Sequence, residues 1–184
     1  MMKFDLSFWT NASSKRKRVY SIMFIFVLAA IVTFVTSYIP ISQSNANSLA
    51  GSMNSTVNMH KSNGTLTEYF FLNNFGICLA MFIPIIGPIV GFIIMGDTGY
   101  AIGAISKVQG YPPWVAMLIE LLTPVFWLEY IAYSTAMAES IWLIRRLFQG
   151  RWMELKNTAI LIAICAAILI VSAVIEAWLV SLGI

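Results

Sequence analysis

The chain has 184 residues, 59% of them hydrophobic and only 10% charged, with a mean hydropathy of +0.82. A soluble domain carries about 25% charged residues, so a mainly soluble fold is excluded, and one membrane domain leaves no room for a separate catalytic domain. The net charge of +3 hides two basic clusters, Lys15-Arg16-Lys17-Arg18 and Arg145, Arg146, Arg151 and Lys156. Both flank apolar sequence, as cytoplasmic ends do. The first cluster lacks the aromatic interleaving of a nucleic-acid binder, so its expected partner is the anionic lipid bilayer.

Residues 1–18 are polar with scattered apolar side chains (Phe4, Leu6, Phe8, Trp9), which predicts a cytoplasmic segment along the membrane surface. Residues 19–40 supply roughly the 20 apolar positions that cross about 30 Å of hydrocarbon. Ser44-Asn45-Ala46 resembles a signal-peptide cleavage site. The apolar run exceeds the roughly 7–15 residues of such a peptide, however, so an uncleaved first transmembrane helix is expected. Residues 41–68 are rich in Ser, Asn and Thr and read as an extracellular loop, with glycosylation sequons at Asn54-Ser55-Thr56 and Asn63-Gly64-Thr65. Met53, Met59 and His60 are too few and too mobile for a soft-metal site, so no cofactor is expected.

Tyr69 opens a second span expected to reach about Gly96, kinked by Pro84 and Pro88. Gly87 with Gly91, and Gly99 with Gly103, repeat a spacing that lets a neighbouring helix approach closely, either inside the chain or between subunits. Residues 97–123 fall into short pieces around Gln109-Gly110-Tyr111-Pro112-Pro113, which predicts half-helices enclosed by protein. A clear span follows from Pro124 to Leu147, then a basic turn, then a last span from about Thr158 to Leu182. With both basic clusters cytoplasmic, the broken region contributes one net crossing and the C-terminus lies outside. The expected fold is an all-α polytopic transmembrane helical bundle of about five crossings, with residues 69–184 as its main domain.

Asp97, Glu120, Glu129, Glu139 and Glu176 stand in apolar sequence. Such groups cost roughly 2.5–3.5 kcal/mol at membrane depth and persist where protein or water surrounds them. Glu120, Glu129 and Glu176 fall near the external ends of their segments and are expected to converge there. They would form a cation or proton site, or else cap helices and pair with a partner subunit. Glu139 precedes Arg145 and Arg146 closely enough to pair with them by snorkelling. Asp97 follows Gly96 and reads as the cap of a short helix. Glu129, Tyr133, Ala136 and Ser140 share one helical stripe suited to packing on another helix. Cys78 and Cys165 read as small buried hydrophobes, and the tryptophans as an interfacial belt.

Several of these residues form a pattern. Asn73-Asn74, Gly87 and Gly91, Asp97-Thr98-Gly99 with Gly103, Pro124 with Glu129, and Glu176 together resemble the stage II sporulation protein M family, in its archaeal form. The resemblance covers roughly residues 69–182. Val125 and Phe126 stand where the family commonly has His and Gly, so any chemistry of that histidine is absent. The namesake acts in a complex with cell-wall hydrolases, and this chain contains no hydrolase, so the resemblance implies a membrane scaffold without catalysis. The expected function is a non-catalytic scaffold or accessory subunit, hetero-oligomeric with other membrane proteins. A multi-subunit enzyme such as an archaeal copper-containing ammonia monooxygenase is one such host, its catalytic ligands lying in other chains. The alternative is a small cation- or proton-coupled transporter or channel using Glu120, Glu129 and Glu176.

Overall fold

The computed structural model of the protein describes residues 14–150 and 153–183. Most of the expected surface segment 1–18, with Trp9, and also Arg151 and Trp152 lie outside the described residues. Among the described residues there are seven helices and no strand: α1 Ser14–Thr36, α2 Gln43–Ser62, α3 Leu66–Met81, α4 Ile86–Gln109, α5 Pro113–Leu122, α6 Pro124–Phe148 and α7 Glu154–Leu182.

Most of the core is a seam where α1, α4 and α6 meet. Phe26 stacks on Trp127 at 5.7 Å between ring centroids and meets Phe126 and Tyr130 edge-on. The Thr33 hydroxyl lies 3.1 Å from the Met95 carbonyl oxygen and 2.5 Å from the Tyr130 hydroxyl. These bonds satisfy polar groups that burial would otherwise penalise. Met81, Met95 and Met137 are fully buried and fill the irregular space between helices, as flexible thioethers do.

Side-chain contacts fix the sense of each helix. Arg18 and Ser21 of α1 reach Glu139 and Trp142 of α6, while Thr33 reaches Tyr130, so α1 and α6 are antiparallel. Glu139 meets Thr158, and Ala132 meets Cys165, so α7 is antiparallel to α6. Asn74 meets Glu129 and Cys78 meets Ala132, so α3 runs with α6. Gly99 and Gly103 of α4 lie against Thr33 and Ser37, so α4 runs with α1. One end of the bundle thus collects Arg18, Glu139 and Thr158, the basic end. At the other end Lys107 Nζ donates to the Ile41 carbonyl, and Lys61 Nζ to that of Val180 at 2.9 Å.

The expected loop over 41–68 is largely helix. Ser42 caps α2 by accepting from the Asn45 N–H at 3.2 Å, and Ala46 and Ala50 are buried. The helix lies across the end of the bundle. Ala46 packs with Ile41, Ala104 and Tyr100 near its start, and Val57 with Leu66, Phe70 and Ala173 further on.

The expected second span, 69–96, is two helices. Pro84 sits in the corner between α3 and α4, and Pro88 falls in the first turn of α4, where a missing N–H costs nothing. Asp97 therefore caps no helix: it is an exposed residue well inside α4, which runs unbroken to Gln109. Residues 97–123 accordingly hold the rest of α4 and the short α5, not a string of half-helices. By length and composition three helices can cross a membrane, or four if α5 and α6, bent by 86°, count as one span. That is fewer than the expected five. α3 has only 16 residues, and α6 carries Glu129, Glu139, Arg145 and Arg146.

Candidate functional site

The glycines of α4 are consumed within the chain. A Cβ at Gly87 would strike the Met81 carbonyl, and one at Gly91 the Met137 thioether. At Gly99 and Gly103 it would strike the Thr33 and Ser37 carbonyls of α1. Tyr133 and Ala136 of the α6 stripe are likewise buried in the core. Ser140 donates to the Ile83 carbonyl at 2.7 Å, satisfying the corner between α3 and α4. These residues build the bundle and leave nothing of themselves for a partner.

Glu139 is also structural, though not as its sequence neighbours suggested. Its carboxylate is only 3% exposed and accepts from Arg18 at 3.3 Å and from Thr158 at 3.0 Å. The Arg146 guanidinium lies over the Trp142 ring, 5.7 Å from its centroid. Cys78 and Cys165 are buried, their thiols converging on the Ala132 carbonyl. His60 stacks on Tyr69 at 4.3 Å and shares a hydrogen bond with Thr65.

Beneath α2 lies a cavity of about 390 Å³. Ser52, Met53, Thr56 and Val57 form its roof, Tyr69, Phe70, Asn73 and Asn74 one wall, and Glu129, Glu176 and Val180 the remainder. Three helices supply its polar groups. α3 starts one turn before Tyr69 and brings Asn73 and Asn74 in at its second turn. Pro124 occupies the first position of α6, with Thr123 as its N-cap, which sets Glu129 at the second turn. α7 runs the other way and brings up Glu176.

An amide relay orders one side of this cavity. Asn73 Nδ2 donates to Asn74 Oδ1 at 3.2 Å, and Asn74 Nδ2 donates to Glu129 Oε1 at 2.5 Å. Glu129 is thereby held in one orientation. Glu176 differs: its Oε2 is buried and has no hydrogen-bond partner among the described residues. One turn deeper on α7, Ser172 is fully buried, with its hydroxyl close to the Glu129 carboxyl. Glu120, on α5, is near enough to both acids for their charges to interact. A carboxylate sheltered from water without a partner is costly, and a cation removes that cost. Among the described residues no three His, Cys, Asp or Glu side chains are placed to hold a metal ion together. The arrangement suits a proton or a small organic cation, with Tyr69 and Phe70 offering aromatic surface to the latter.

Glu129 and Glu176 thus share a cavity, with Glu120 close by; Asp97 and Glu139 lie apart. Sequence reasoning missed the roof, because α2 was read as a loop. Ser52 and Thr56 one turn apart, with Ala46 and Ala50 before them, were the available signal. No family model, no curated protein and no solved structure matches the chain.

Proposed function

We propose that the chain is a polytopic membrane protein that takes up a proton or small cation at the acidic cavity, as a cation- or proton-coupled transporter does. The observation that carries this reading is the pairing of Glu129, ordered by Asn74, with Glu176, whose buried Oε2 lacks a partner among the described residues. The alternating sense of α1, α3, α4, α6 and α7 supports five traversals of the bilayer. In that arrangement Lys15–Arg18, Arg145, Arg146 and Lys156 face the cytoplasm, and α2, the cavity and the C-terminus face outside.

Reconstitution into liposomes tests it. Uptake of methylammonium, or proton movement followed by a trapped pH dye, is expected from the natural chain, with a loss of about tenfold or more in Glu129→Gln and Glu176→Gln. Asp97→Asn, an exposed position on α4, is expected to keep the activity. Natural-sequence protein that neither binds nor moves either cation sinks the proposal.

A second reading, a non-catalytic accessory subunit of a membrane complex, has its own support. An open groove of about 570 Å³ lies between the end of α2 and α3, lined by His60, Thr65, Glu68, Tyr69, Leu72 and Asn73. Leu72 is 66% exposed there, an apolar anchor point for a partner. The stage II sporulation protein M resemblance sits with this reading, since Asn73, Asn74, Glu129 and Glu176 gather around one cavity. Gentle extraction that returns the chain in fixed ratio with other membrane proteins favours it; recovery as a lone chain counts against it.

A further inference from the structure

α4 is long and apolar enough to cross a membrane, yet it carries an acid on its outer face. Counting from Ile86, Asp97 is the twelfth of its 24 residues, about 17 Å from either end. The residue is exposed, and among the described residues none makes a hydrogen bond or ion pair with its carboxylate. A carboxylate facing hydrocarbon is costly and persists where protein or water surrounds it. The chain supplies no counter-charge at this depth. Among the described residues every Lys and Arg stands at or near one end of its helix. Lys107, ten residues further along α4, is about 15 Å away and already donates to the Ile41 carbonyl. A second copy inserted the same way brings only its own Asp97 to that level.

The face around Asp97 has the form of a helix-docking surface. Ile86, Ile89 and Ile93 lead up to it at spacings of three and four residues, and each is more than half exposed. That is the spacing at which one helix meets another along a seam. β-branched side chains hold one χ1 rotamer in a helix, so they lose little freedom on contact. Gly96 stands beside Asp97, and the packing of the chain does not require it. A Cβ there would meet only the Thr36 methyl, at an ordinary 3.7 Å. Gly91, Gly99 and Gly103 are different, each being pressed against its own chain. The missing side chain at Gly96 lets a second backbone come close to the carboxylate.

We propose that the outer face of α4 docks a membrane-spanning helix of a different protein, and that a Lys or Arg of that helix pairs with Asp97. The isoleucines supply the contact, and the ion pair sets the depth and rotation of the partner helix. The inference deepens the accessory-subunit reading, on which it rests, by naming the face and the chemistry of the partner. It stands apart from the acidic cavity, which Asp97 does not line.

Photocrosslinking in native membranes tests this, with benzoylphenylalanine replacing Ile93 on α4 or, separately, Leu72 in the groove beside α2. The expected adduct at position 93 is with one protein, whose linked peptide, sequenced by mass spectrometry, is a membrane-spanning helix carrying Lys or Arg. Asp97→Asn lowers the yield about tenfold, and Asp97→Glu retains most of it. Gly96→Leu lowers it as well, by filling the space the partner backbone uses. Asp97→Lys abolishes it, and changing the basic residue of the partner to Asp restores it. The purified Asp97→Asn chain keeps the denaturation midpoint of the natural one, which separates lost docking from lost folding. An adduct with a second copy, or with a helix that carries no cation, overturns the proposal. So does a yield that Asp97→Asn leaves unchanged. An adduct at position 72 without one at 93 sinks this inference and leaves the accessory-subunit reading standing; no adduct at either position counts against both.

Discussion

Gly99 and Gly103 lie against the backbone carbonyls of Thr33 and Ser37, whereas Gly91 lies against the thioether of Met137. A carbonyl fixed in a helix cannot retreat from an added methyl group, but a methionine side chain can swing to another rotamer. Gly99→Ala and Gly103→Ala are therefore expected to cost about 1–3 kcal/mol each, and Gly91→Ala clearly less. Gly76, on α3, has nothing within 4 Å of its would-be Cβ, so Gly76→Ala is expected to be neutral or to stabilise by up to about 1 kcal/mol. Denaturation midpoints in mixed detergent micelles rank the four variants. Equal costs at all four positions would remove close helix approach as their explanation. At this scale the glycine spacing was legible because it is local. The Arg18–Glu139 pair was not: the two residues are 121 apart in sequence, and Arg145 and Arg146 offered nearer candidates.

Between α3 and α4 the chain reverses over four residues, and Ile85 takes a left-handed φ of 71° with ψ of −52°. The Ile86 N–H donates to the Pro84 carbonyl at 2.9 Å, closing a three-residue γ-turn of the strained hand. A β-branched residue is poorly suited to positive φ, whereas glycine accepts it freely. The Ile85 side chain is 62% exposed, so its removal forfeits little packing. Ile85→Gly is therefore expected to stabilise the protein by about 1 kcal/mol, and Ile85→Val to leave it little changed. A loss of stability in Ile85→Gly, measured by the same denaturation series, would show that the side chain holds the corner by contacts of its own. Pro84 and Pro88 announced a break in the sequence but not its depth, since a kink and a full reversal share the same residues. α2 was illegible for another reason. Its buried face is made of Ala46 and Ala50 and not of large apolar residues, so Ser, Asn and Thr dominate its composition and hide the helical period.

At the scale of the whole molecule, α1 and α4 point the same way, so the chain must return across the bundle between them. α2 is polar and lies across one end, which leaves α3 to make that return. Its 16 residues extend about 24 Å, short of the roughly 30 Å of hydrocarbon. Under the proposed five traversals, α3 is the short crossing that the direction of its neighbours calls for. The two native cysteines are buried and give little background to a membrane-impermeant maleimide, so single introduced cysteines report sidedness cleanly. Met59→Cys on α2 and Leu182→Cys at the end of α7 are both at exposed positions, as is Lys156→Cys at the start of α7. With five traversals, positions 59 and 182 label in intact cells, and position 156 labels only after the membrane is opened. Labelling of 59 and 156 from the same side would mean an even number of crossings between them. In that case α3 does not return the chain, and the acidic cavity beneath α2 would have to be reassigned to the side on which the basic clusters lie.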